Sequence, residues 1–176
     1  MTGAARSPAI AGPGRLLGGR LRRAVPSPRA ASAGAFLWSV LMAGGAYWGV
    51  AHWANPSHIL TVLLIYAAGA AAAFPLAMFM TEAVAGEKMP TQRFASAFLL
   101  LALTTVGVTA LLFAVIYRAY YAHWHEEAFS PVWVLQFAGT VLSAFYQFAV
   151  LGLRLYFPYG LIGLFAVSLW FAVRAR

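Results

Sequence analysis

Cysteine is absent from this 176-residue chain, and so is aspartate. Without thiols there is no disulfide framework, thiolate metal site or cysteine nucleophile. The only acids are Glu82, Glu87, Glu126 and Glu127, and none precedes position 82. Charged residues make up 9% of the chain and hydrophobic ones 62%, whereas a soluble domain carries about 25% charged and about 45–50% apolar residues. So little polar surface cannot cover a globule in water, and the bilayer is the expected solvent for most of the chain. No catalytic triad, phosphate loop or nucleotide fingerprint occurs, and no polar stretch is large enough to hold a sizeable soluble substrate. The interiors of the apolar runs contain no Asp, Glu, Lys or His, which removes the usual members of a proton relay or ion-coupled site.

What is present is unevenly placed. Six of the twelve basic residues (Arg6, Arg15, Arg20, Arg22, Arg23 and Arg29) lie before position 30. Residues 1–33 are rich in Ala, Gly, Pro, Ser and Arg, with prolines at 8, 13, 26 and 28 that block a long helix. This composition reads as a disordered cytoplasmic tail that sets topology and touches anionic headgroups. A cleaved organellar transit peptide is the alternative, since such peptides are rich in Arg and Ser and poor in acids. Nucleic acid is not an expected partner, because no aromatic is interleaved with the arginines to stack on bases.

From residue 34 to 176 the chain reads as one all-α integral membrane domain. A crossing helix needs about 20 apolar residues, and the runs at 34–54, 59–80 and 95–117 each qualify. Asn55-Pro56 separates the first pair into a tight hairpin, and a polar stretch at 81–94 separates the second from the third. The apolar length from Val132 to Val173 is too long for one crossing, with a natural break at Gly152–Gly160. One reading divides it into a hairpin, 132–153 and 156–173, giving an antiparallel bundle of five helices with the C-terminus outside. The alternative lays Val132–Leu151 on the membrane surface and gives four crossings with the C-terminus inside. The uncharged Val132–Leu151 segment lacks the charged face of an interfacial helix, so five crossings are expected. Placing the tail and the 81–94 stretch inside satisfies the positive-inside rule and puts Tyr47, Trp48, Tyr120 and Trp124 near the outer boundary.

Four groups of residues are candidates for contacts or chemistry. His52, His58, His123 and His125 all map to the outer face, where imidazoles and the nearby Glu126 and Glu127 are competent ligands for Zn or Cu. No recognised ligand spacing accompanies them, and a b-type haem would want histidines inside facing helices. Gln136, Thr140, Ser143 and Gln147 step by four, three and four, forming a neutral polar stripe on one face of the fourth apolar segment. Facing lipid would be costly, so this stripe should meet another helix or line a polar path. Gly45 and Gly49 form a GxxxG pair, and Gly69–Ala73 begins a second small-residue face; the two are expected to pack the first hairpin together. Arg154 is the only charge close to hydrocarbon; it is expected at the inner turn of the last hairpin, or at depth as a functional charge.

Contact faces without buried ionisable groups suggest a non-catalytic component: an accessory, assembly or scaffold subunit of a larger inner-membrane complex, with no cofactor. The expected partners are the lipid bilayer and other membrane subunits or a second copy. The expected location is a prokaryotic inner membrane, or an organelle inner membrane if the tail is a transit peptide. Two alternatives remain: a small transporter or channel using the stripe as its path, and an outer-face metal-binding protein.

Overall fold

The computed structural model describes residues 21–51 and 56–174. Every regular element among them is helical: α1 Pro28–Val50, α2 Ile59–Ala85, α3 Pro90–Tyr121, α4 Pro131–Gln147 and α5 Tyr159–Val173. Counting short extensions, four helices are long and apolar enough to cross a membrane: Pro28–Val50, Ile59–Ala85, Pro90–Trp124 and Pro131–Tyr156. At 15 residues, α5 falls short of that length.

Proline starts helices here rather than stopping them. Pro28, Pro90 and Pro131 each stand in the first turn, where a missing N–H costs nothing and the fixed φ suits the helix. Ser27 and Ser130 cap two of these starts, accepting from the backbone N–H of Ala30 at 3.4 Å and of Trp133 at 3.1 Å. The first helix therefore begins six residues before the expected Gly34, and residues 28–33 are not tail. Positions 1–20 of the expected tail lie outside the described residues. The same punctuation corrects the polar 81–94 stretch. α2 runs on to Ala85 and α3 begins at Pro90, so Glu82 and Arg93 stand on helices and the link is only residues 86–89.

Close packing follows the small residues. A Cβ on Gly34 would run into the Phe74 ring, and one on Gly69 would lie 2.9 Å from the Thr109 Cα. These contacts bring α1 onto α2 and α2 onto α3 at backbone distance. Several buried polar groups in the interior find partners within the bundle. Trp38 Nε1 donates to Thr105 Oγ1 at 3.0 Å, Thr109 Oγ1 donates to the Thr105 carbonyl at 2.7 Å, and Ser168 Oγ donates to the Leu164 carbonyl at 2.6 Å. Around them Met42, Phe74, Met78, Leu101 and Phe171 close the core.

The last two helices do not form a hairpin. α4 packs on the far end of α3, with Gln147 at Tyr117 and Phe148 at Phe113. The chain then passes through a π-helical turn (Phe148–Gly152), a 3-10 turn (Leu153–Tyr156) and a cis Phe157–Pro158 bond. α5 continues in the same direction, antiparallel to α1: Gly160 meets Met42, Gly163 meets Leu41 and Trp38, and Arg174 reaches Arg93. So α4 and α5 are two pieces of one interrupted traverse, and the described residues run end to end four times. The antiparallel five-helix expectation is corrected on this point. Its α4–α5 hairpin would leave Arg174 at the end opposite Arg93, whereas Arg174 lies at the end where α1 begins.

This arrangement changes the partner of the GxxxG pair. Gly45 and Gly49 face the break rather than α2. A Cβ on Gly45 would lie 3.5 Å from the Leu155 carbonyl oxygen, and one on Gly49 would lie 2.5 Å from Leu155 Cδ2. The two glycines make the recess into which the 3-10 turn fits. Arg154, expected at an inner turn, is exposed on that same 3-10 turn, beside the residues that meet Gly49 and Tyr66. It is therefore nearer the His125 end.

One buried charge cluster fastens the opposite end. Arg93 Nη2 lies 3.7 Å from Glu82 Oε1, with both side chains 9% exposed, and Arg93 Nη1 donates to the Arg174 carbonyl at 2.9 Å. A single guanidinium thus joins α2, α3 and the C-terminal end of α5, where it also answers unpaired carbonyls.

Candidate functional site

The polar stripe of α4 and the C-terminal end of α3 enclose an open groove of about 330 Å³, lined by Tyr117, Tyr121, His125, Gln136, Gly139, Thr140 and Ser143. Its construction follows from the way α4 is held. α4 has a single buried residue, Ala144, so apolar burial contributes little to its seating. Polar and aromatic contacts do that work. Gln136 Oε1 accepts from the Glu126 N–H at 2.9 Å, Thr140 Oγ1 lies 3.1 Å from His125 Nε2, and Gln147 Nε2 donates to Tyr117 Oη at 3.0 Å. Arg118 adds a cation–π contact, its guanidinium carbon 4.5 Å from the centroid of Phe137 and 6.0 Å from that of Trp133.

Three of the four stripe residues are thus engaged with α3 or the turn that follows it. Ser143 is the exception, exposed in the groove and without a protein partner among the described residues. Thr140 donates its own proton to the Gln136 carbonyl at 2.6 Å. Toward His125 the hydroxyl oxygen then accepts from Nε2, while Nδ1 is buried and has no partner among the described residues. The groove consequently offers hydroxyl and amide groups beside two tilted tyrosine rings whose centroids are 4.7 Å apart. Such a surface can hold an uncharged hydrogen-bonding group, but it presents no nucleophile activated by a base.

The four histidines are placed differently from one another. His52 lies outside the described residues. His58 closes the short 3-10 turn before α2, His123 lies tilted against Trp124 with ring centroids 3.6 Å apart, and His125 lines the groove. Among the described residues, no three His, Cys, Asp or Glu side chains gather where they could hold a metal ion.

Tyr117, Tyr121 and Arg118 are site residues that stripe periodicity on α4 alone does not reveal. The signal for them was available in α3: Tyr117, Arg118 and Tyr121 stand at its apolar end, spaced to face one neighbour at i, i+1 and i+4. The Glu82–Arg93 pair was hidden by reading residues 81–94 as a loop. No family model, curated protein or solved structure matches this chain.

Proposed function

We propose that this chain is a multi-pass membrane protein acting as a non-catalytic accessory, assembly or scaffold subunit of a larger inner-membrane complex. The observation that carries the reading is the contrast between the inside and the outside of the bundle. Inside, polar side chains bond to other parts of the same chain, from Trp38 and Thr105 to Arg93 and the Arg174 carbonyl. Outside, the surface is apolar, and α4 presents Leu135, Leu142 and Tyr146 on a helix that buries only Ala144. A helix so little used by its own bundle suits a contact with a neighbouring subunit. Chemistry usually needs ionisable groups held within reach of a substrate, and the groove offers none with an activating partner.

Extraction in a gentle detergent followed by native mass measurement tests this. The expected result is a species heavier than the 18.9 kDa chain, with another membrane protein at fixed stoichiometry. Recovery solely as a free monomer would sink the subunit reading.

The proposed topology has four crossings, with α4 and α5 sharing the last. Among the described residues, Arg22, Arg23, Arg29, Lys88, Arg93 and Arg174 stand at one end of the bundle and only Arg118 and Arg154 toward the other, so the first end is assigned to the cytoplasm. A C-terminal reporter active only in the cytoplasm is expected to give full signal. A signal confined to the outer side would require a fifth crossing.

A further inference from the structure

The groove between α3 and α4 is lined in part by groups that seating the helix does not use. No lining side chain carries a fixed charge, and the nearby Arg118 guanidinium is turned onto the Phe137 ring. An anionic ligand would therefore find no direct counter-charge there. Two hydrogen-bonding groups are left over after internal contacts are made: the Ser143 hydroxyl and the Gln136 amide nitrogen have no protein partner among the described residues. A ligand hydroxyl meets both, because it can accept from the amide and either donate to or accept from the serine.

Shape and position agree with this chemistry. At about 330 Å³ the groove falls at the low end of small-molecule sites, which run to about 300–1,000 Å³. Its floor is Gly139, where an added Cβ would meet nothing within 4 Å, so the space is open rather than packed. Tyr120, Trp124 and Trp133 stand at the same end of α3 and α4, and such side chains settle at the headgroup level of a bilayer. We propose that this groove binds the uncharged, hydroxyl-bearing head group of a membrane amphiphile, either a glycosyl or a glycerol head. The inference rests on the bilayer placement given above but not on the subunit role.

The test uses the full chain in phosphatidylcholine nanodiscs and an octyl glucoside carrying a diazirine beside the sugar. Photolabel is expected to concentrate in peptides covering residues 117–125 and 136–143. Gly139→Leu fills the floor and should reduce that labelling about tenfold, a change of one decade in affinity. Ser143→Ala keeps the shape, disturbs no internal hydrogen bond and should reduce it about fivefold, as for the loss of one hydrogen bond. Competition by excess monoacylglycerol supports the site with a glycerol head, and unaltered labelling supports it with a sugar. Equal labelling of wild type and both variants would overturn the proposal, as would preferential labelling of the groove by a diazirine lysophosphatidylglycerol. Scattered labelling of α1–α3 by that anionic probe reports bilayer contact separately, so its absence would indict the membrane placement and not the groove.

Discussion

Arg93→Ala is expected to cost about 3–5 kcal/mol of stability, the range found when one partner of a buried ion pair is removed. The size follows from what the guanidinium does. It faces Glu82 at 3.7 Å with both side chains 9% exposed, and it holds the Arg174 carbonyl at 2.9 Å. Its loss leaves a carboxylate in a dry setting and releases the end of α5 from α2 and α3 together. Unfolding in mixed detergent micelles, followed by far-UV circular dichroism, gives the number. The companion experiment replaces both charges with methionine. Two apolar side chains of similar reach leave no uncompensated charge, so the double variant should recover most of the loss. Equal damage in the single and double variants would mean that the pair contributes through shape alone.

Gly69→Leu should be nearly as severe, at about 3 kcal/mol, the upper end for overpacking a close-fitted interior. The obstacle is backbone: an added Cβ would lie 2.9 Å from the Thr109 Cα, and main chain cannot step aside as a side chain can. α2 and α3 would have to separate, disturbing the neighbouring Thr109 and Thr105 as well as the Trp38 hydrogen bond that ends on Thr105. Gly107→Leu is the matched control, on α3 with nothing within 4 Å of the added Cβ, and its thermal midpoint in the same detergent should hardly move. Similar midpoints for the two variants would show that the α2–α3 approach is softer than these distances imply.

Much of the helical architecture is legible in the residues themselves. Apolar runs of about crossing length announce α1, α2 and α3, because hydropathy averages over many side chains and tolerates local irregularity. The three-four spacing of Gln136, Thr140, Ser143 and Gln147 likewise marks a face of α4, and three of those side chains meet partners on α3 or its following turn. Helix ends are harder to read. Pro28 and Pro90 look like breakers until one asks whether they open a helix, where the ring costs nothing, and that question moves Arg93 from a loop into the first turn of α3.

The fate of residues 132–173 could not be read from composition. Whether two apolar segments double back or follow one another depends on the backbone between them, and Gly152–Gly160 contains signals for both. What decides it is a fit spread over distant sequence: Leu155 entering the recess at Gly45 and Gly49, and the Tyr66 hydroxyl donating to the Gly152 carbonyl at 2.6 Å. A glycine pair predicts that something approaches closely, but not which segment does so. The groove has the same origin, since it needs Tyr117 and Tyr121 from one helix, His125 from the following turn and Gly139 from another.

The break between α4 and α5 has a mechanical consequence for the proposed bilayer placement. The 17 residues of α4 and the 15 of α5 together match the 32 of α3, so the interrupted traverse and its unbroken neighbour each amount to about 48 Å of helix. The acyl region of an ordinary bilayer is about 30 Å thick, so both flanks exceed it. On that placement α3 would absorb the excess by leaning as one rod, whereas α4 and α5 could tilt separately about the irregular turns between them.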